Sequence, residues 1–155
     1  MKNEIDKNEW LLLDNQLCFS LYSASRMITQ SYTPFLEPLN LTYPQYLVML
    51  VLWEEDNLSV KYLGNRLLLD SGTLSPLLKK LELKGFVNRS RLPDDERVVK
   101  VSLTKEGEKL KKLAYPIPGK LFCKTKLQHK ELTIVRETLQ KLLQNINSGD
   151  NNEIK

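Results

Sequence analysis

The chain is 155 residues long, 41% hydrophobic and 27% charged, the size and balance of one water-soluble domain with a full core. No apolar run approaches the roughly 18 residues of a membrane span, and the polar opening MKNEIDKNEW has no apolar stretch of a secretion signal, so the expected compartment is the cytoplasm. The net charge of +4 excludes little by itself, but residues 58–105 carry ten Lys and Arg against five Asp and Glu, while the remainder carries thirteen against fourteen.

Apolar residues at 13, 17, 21, 24, 28 and 35 fall mostly three, four or seven apart, which predicts a long amphipathic helix over 11–37. Pro34 and Pro38, in PFLEPLNL, end it. Thr42 followed by Gln45 predicts a capping box that opens a second helix, YPQYLVMLVLWEE, with Pro44 tolerated in its first turn. This helix is apolar nearly all round and should be buried. Ser59 is placed to cap a short third helix. A fourth follows, SGTLSPLLKKLELKG, with Leu74, Leu77, Leu78 and Leu81 on one stripe. Its start is open between Asp70 or Ser71 as cap and Ser75 with Pro76 at the first helical position. Gly85 suits its stop.

The period then changes. Val99, Val101 and Leu103 alternate with polar residues, and a turn at 93–95 separates them from GFVNRSR, which predicts a two-stranded hairpin. Thr104 caps another helix, with Glu106 and Glu108 in the first turn where the helix dipole favours acids. Pro116, Pro118 and Gly119 interrupt it, and Leu132, Val135, Leu139, Leu142, Leu143 and Ile146 mark a final amphipathic helix. The tail NSGDNNEIK is polar enough to be disordered.

Helix, short helix, helix, hairpin is the order of a winged helix-turn-helix. The expected fold is mostly α with a small β-hairpin wing: a single domain over 1–155, a DNA-binding lobe at 58–105, and a helical dimerisation region at 10–40 and 106–147. The basic surplus of the central lobe is the electrostatic footprint of nucleic-acid binding, although a solvated basic face has the same composition. The flanking helices have apolar faces to spare, which a two-fold homodimer would cover.

If the fourth helix reads DNA, its N-terminal half meets base edges in the major groove. Ser71, Thr73 and Ser75 supply short donors and acceptors there, with Lys79 and Lys80 nearer the phosphates. In the wing, Arg97 is placed to enter a minor groove, with Asp95 two residues before it to hold the guanidinium. Arg89 and Arg91 on the other strand can meet phosphates. Caps, surface serines and an exposed turn with a surface ion pair are the plainer reading of the same residues.

Two cysteines, Cys18 and Cys123, are too few and too far apart for a disulfide framework, a zinc site or a CxxC motif, so no metal and no cofactor is expected. Cys18, Tyr22, Ser25, Thr29 and Tyr32 share one helix face. Tyr22 can touch Cys18 from its own helix. Tyr32 cannot: fourteen residues at about 1.5 Å each place it roughly 21 Å along the axis. If Tyr32 serves Cys18, it comes from a second subunit whose helix runs antiparallel.

DERVVKVSLTKEG resembles the wing and following helix start of the MarR family of winged-helix repressors. LLLDSGTLSPLLKKLELKGFVNRSR resembles the recognition-helix region of its organic-hydroperoxide-sensing branch, the OhrR-type regulators, and the likeness runs from about residue 15 to 145. It implies a dimeric repressor of double-stranded DNA carrying an inverted repeat, with DNA contacts from Asp70, Ser71, Thr73, Ser75, Lys79, Arg89, Asp95 and Arg97. It also implies a reactive thiol at Cys18, with phenols at Tyr22 and, from the partner chain, at Tyr32 and Tyr43. A thiolate is the nucleophile toward peroxide oxygen, and phenol hydroxyls donating to sulfur favour it. Attack gives a sulfenic acid, which a second thiol captures as a disulfide. In the two-cysteine members of the branch that thiol lies in the region of Cys123, implying an intersubunit Cys18–Cys123 disulfide and release of the operator on oxidation.

Two rivals use the same residues differently. A thiol peroxidase would share the cysteine chemistry but has no need of a basic helix and wing. A MarR-type regulator gated by phenolic ligands would leave the cysteines incidental. His129, the one histidine, reads as a surface residue, and Trp10 and Trp53 as core or boundary aromatics.

Overall fold

Gln16 sets the point at which the first helix begins. The computed structural model describes residues 7–92 and 95–149, with side chains from Glu9 to Arg91 and from Val98 to Ser148. Two short 3-10 turns, Lys7–Leu11 and Leu13–Asn15, precede α1, Leu17–Ser31. Gln16 is extended, at φ −84° and ψ 111°, and its side-chain amide donates to the Trp10 and Leu12 carbonyls. The helix expected from residue 11 therefore starts at 17, because the amide takes carbonyls that a continuous helix would have paired with its own backbone.

The helix expected to run to residue 37 ends instead at Ser31, and Pro34 falls in the first turn of a separate helix. Tyr32 caps α1; a one-turn α2, Thr33–Leu36, follows with Pro34 in its first turn, then a 3-10 turn, Glu37–Leu39, and left-handed Asn40 at φ 53°. α3, Tyr43–Glu54, opens with the Thr42–Gln45 capping box, in which the Gln45 Oε1 accepts the Thr42 amide at 3.1 Å. Gln45, Tyr46, Val48, Met49, Val51, Leu52 and Trp53 of this helix are buried, as its all-round apolar sequence requires.

α4, Val60–Leu67, is capped by Ser59, whose hydroxyl accepts the Tyr62 amide at 3.1 Å. It ends at Leu68 in the left-handed region, φ 53°, and the Leu69 amide reaches the Gly64 carbonyl at 3.0 Å. The chain then reaches Asp70, which settles the open helix start. Its carboxylate accepts the Thr73 amide at 2.8 Å, so α5 is Ser71–Leu83 and Pro76 lies inside it. Leu74, Leu78 and Leu81 are its buried stripe. Gly85, at φ 73°, ends it in a Schellman motif: the Phe86 amide bonds the Leu81 carbonyl at 3.1 Å and the Gly85 amide the Glu82 carbonyl at 2.9 Å.

β2, Val87–Leu92, and β3, Asp95–Leu103, form the antiparallel wing. Their register runs from Val87 opposite Leu103 to Arg91 opposite Val99, then slips so that Leu92 faces Asp95. A third strand, β1 at Leu58–Ser59, pairs with Val101 and Lys100 on the other edge of β3, giving the order β1-β3-β2. Two residues are too few to display a strand period, which is why the hairpin alone was legible. Helix–turn–helix followed by this sheet is the mostly α, winged architecture expected.

α6, Lys105–Ala114, is fastened at its first turn. The Thr104 hydroxyl accepts the Gly107 amide at 3.0 Å and donates to the Gly85 carbonyl at 2.6 Å, while the Gly107 carbonyl accepts the Trp53 indole N–H at 3.0 Å. The chain divides into two compact units, Met1–Ile117 and Pro118–Lys155. α7, Ile117–Thr125, spans the boundary, and the second unit adds α8, His129–Gly149. The first three residues of the expected disordered tail are thus helical; the others lie outside the described residues.

A side chain at Gly107 has no room, because its Cβ meets the Phe86 carbonyl, a backbone atom that cannot step aside. Gly107→Ala is expected to destabilise the fold by about 1–3 kcal/mol, read as a lower denaturation midpoint at unchanged slope.

Candidate redox and nucleic-acid-binding sites

α1 carries Cys18 in its first turn and Tyr22 one turn later, both exposed, Tyr22 at 62%. No residue of α1 is buried within the chain, and Leu17, Met27 and Ile28 are exposed with them. Tyr32 stands at the opposite end as the α1 C-cap. There the structure assembles a cluster of phenols. The Tyr32 and Tyr43 rings lie 4.8 Å apart between centroids, and Tyr46 lies 5.8 Å from Tyr32 while meeting Trp53 edge-on at 6.1 Å. Tyr32 and Tyr43 are therefore brought together, and Cys18 and Tyr22 are left at the far end of the same helix. Tyr46 was missed in the sequence, where its only signal is the i+3 spacing from Tyr43.

Burial pushes the Tyr32 pKa up to about 12, with Tyr43 and Tyr46 adding to the rise. Burial also raises Tyr43, and raises Tyr46 with help from Tyr43. These phenols consequently ionise at higher pH than an ordinary tyrosine. These phenols are O–H donors, suited to an anionic acceptor such as a thiolate.

Cys123 is exposed on α7, in the second unit. Its neighbour Phe122 lies 6.3 Å from His129 between ring centroids, so the histidine packs beside an aromatic at the start of α8.

On α5, Ser71, Thr73, Ser75 and Lys79 are exposed, as expected of a recognition surface. Asp70 and Thr73 are also engaged with each other. The Asp70 carboxylate accepts both the Thr73 amide at 2.8 Å and the Thr73 hydroxyl at 2.9 Å, and these bonds hold its pKa below the ordinary value. Arg89 is pinned as well: its Nε and Nη2 bond the Glu82 Oε2 at 2.8 and 2.6 Å, joining β2 to α5 and lowering the Glu82 pKa. Lys61, Ser71, Ser75 and Arg89 line a cleft of about 550 Å³ between α4, α5 and the wing. Asp95 and Arg97 belong to β3 by backbone, but their side chains lie outside the described residues. Among the described residues no helix is long and apolar enough to cross a membrane.

The sequence matches the family described as transcriptional regulator SarA/Rot over residues 30–113, more than half of the chain. An organic hydroperoxide resistance transcriptional regulator of Bacillus subtilis (strain 168) is 45% identical over 146 residues, covering 94% of this chain and 97% of the relative. The solved structure of reduced AbfR bound to DNA, a Staphylococcus epidermidis protein, is 37% identical with a TM-score of 0.75, covering 90% of this chain and 98% of that chain. Disulfide-formed AbfR is 36% identical with a TM-score of 0.64, covering 88% and 96%.

The raised Tyr32 value has a measurable sign. Its folded pKa lies above the unfolded value of 10.0, so the stabilisation is complete below pH 10.0 and is lost as pH rises toward about 12. Ultraviolet titration of tyrosinate should contain a late step near pH 12 that Tyr32→Phe removes. A Tyr32 that ionises at the ordinary tyrosine value contradicts the buried cluster.

Proposed function

The chain belongs to the MarR/SarA-type winged-helix transcriptional regulators, DNA-binding proteins and not enzymes, and from that premise we propose that it is a homodimeric repressor whose operator affinity is set by oxidation of Cys18. The observation that carries this reading is the pre-assembled Tyr32–Tyr43 pair at the end of α1 remote from the exposed Cys18. A second copy whose α1 runs antiparallel offers its own Cys18 to that pair. It also covers the helix that one chain leaves without a buried residue.

In the proposed chemistry the Cys18 thiolate attacks the terminal oxygen of an organic hydroperoxide. The O–O bond breaks, the sulfur becomes a sulfenic acid, and the leaving alkoxide takes a proton to become an alcohol. The Cys123 thiol of the partner then attacks the sulfenic sulfur, forming an intersubunit disulfide and releasing water. Moving the sulfur toward Cys123 withdraws it from the phenols and shifts one subunit against the other, which alters the spacing of the two recognition helices on an inverted repeat. The reduced, DNA-bound and disulfide-formed structures of AbfR support a cycle of this kind.

On DNA, Ser71, Ser75 and Lys79 of α5 make the contacts. Asp70 and Thr73 fix the first turn that presents them, Arg89 reaches phosphate from its perch on Glu82, and Arg97, steadied by Asp95, enters the minor groove.

Gel shifts on the protein's own upstream DNA test the reading. The reduced protein is expected to bind and the cumene-hydroperoxide-treated protein to release, with Cys18→Ser bound in both conditions. Equal affinity in the two states contradicts it. Non-reducing electrophoresis should give a covalent dimer that either cysteine variant abolishes, and a Cys18 mixed disulfide with a small thiol in its place removes Cys123 from the mechanism. Tyr32→Phe and Tyr43→Phe are each expected to slow Cys18 oxidation by about ten-fold, the equivalent of about 1.4 kcal/mol. Lys79→Ala should reduce the slope of log affinity against log salt by about 0.9 per subunit.

A further inference from the structure

One side chain ties the end of the DNA-reading helix to the phenol cluster. Lys84 is the C-cap of α5, and its ammonium donates to the Asn40 carbonyl at 2.6 Å and to the Gln45 Oε1 at 2.9 Å. The same Gln45 oxygen accepts the Thr42 amide, closing the capping box of α3, whose first residue is Tyr43. Gln45 is 1% exposed. A single buried oxygen is thus shared between the start of the helix that carries Tyr43 and the end of the helix that meets DNA. Desolvation, with Lys80 nearby, lowers the Lys84 pKa. The ion pair of α5, Glu82 with Arg89, runs to β2 within the wing and does not reach this corner.

We propose that Lys84 is the positioning residue that conveys the state of the Tyr32–Tyr43 pair to α5. The inference rests on the redox-regulator reading above and names how that site acts at a distance. With Tyr43 held against Tyr32, the first turn of α3 is closed, Gln45 presents its oxygen to Lys84, and α5 is anchored in its DNA-competent position. Displacement of Tyr43 opens the turn, withdraws the oxygen, and removes a charge-assisted bond from the foot of α5. The cleft of about 340 Å³ lined by Thr29, Thr33, Asn40, Tyr43 and Lys84 leaves this corner space to move.

The test uses the full-length protein, Lys84→Met, and Lys84→Arg as the conservative variant. Two quantities are measured: the rate of Cys18 sulfenate formation with cumene hydroperoxide, and operator affinity in the reduced and oxidised states. Lys84→Met is expected to oxidise at the wild-type rate. Its reduced-state affinity falls toward the oxidised value, so the ratio of the two drops at least ten-fold below wild type, and Lys84→Arg recovers most of that ratio. Should the methionine variant melt below the assay temperature, Lys84→Gln takes its place with the same expectation. A variant that keeps the wild-type ratio, including one whose two affinities fall together as a merely structural role requires, overturns the proposal. A wild-type protein with no difference between states overturns the regulator reading itself and is distinguished without any variant.

Discussion

A helix of fifteen residues cannot bring its two ends together, and the candidate site is divided between those ends. Cys18 lies in the first turn of α1 and Tyr32 caps the last, roughly 21 Å apart along a rigid axis. Within one protomer the thiol faces solvent and the phenols face each other. The same helix buries none of its apolar side chains. The divided site and the uncovered face are two deficits of one element, and an antiparallel second copy answers both. That economy is why the proposed switch is a property of a pair of chains. Within the protomer the two rings are already packed together, 4.8 Å between centroids, whatever meets them from outside.

What the sequence made legible was local. The capping box at Thr42 and Gln45, the hydroxyl caps at Ser59 and Thr104, and the glycine stop at Gly85 each act within three or four residues, and each stands where its residue type predicts. The start of α5 is ambiguous in sequence because Asp70, Ser71 and Ser75 with Pro76 all suit it; the paired bonds that Thr73 donates to Asp70 decide it. Gln16 was missed because its effect runs backwards, through a side chain that pairs carbonyls in the preceding turns. The β1 strand is too short for a period. Lys84 meets Asn40 and Gln45 across 44 and 39 residues, and nothing in a linear pattern marks such a contact.

The candidate site divides along the same line. Cys18, Tyr22 and Tyr32 share a face that spacing alone reveals, whereas Tyr43 joins them from another helix and entered through the resemblance. Tyr46 escaped because a buried tyrosine in an apolar helix reads as core, which it also is. In the lobe expected to bind DNA, candidate contact residues also have partners within the chain. Asp70 and Thr73 bond each other, and Arg89 rests on Glu82. If these residues meet DNA as proposed, such pairs hold that surface in shape beforehand and compete with the nucleic acid for the same donors.

The slip in the β2–β3 ladder separates two parts of the wing with different obligations. On the body side of Arg91, the pairing keeps Val87 and Val101 turned inward, and a shift of one residue in either strand would turn its valine outward. Beyond it that obligation ends, because the irregularity has already taken up the mismatch. Insertions and deletions at the far end of the hairpin are absorbed there without disturbing the interior. The length of the arm is therefore a quantity that the buried interior does not dictate.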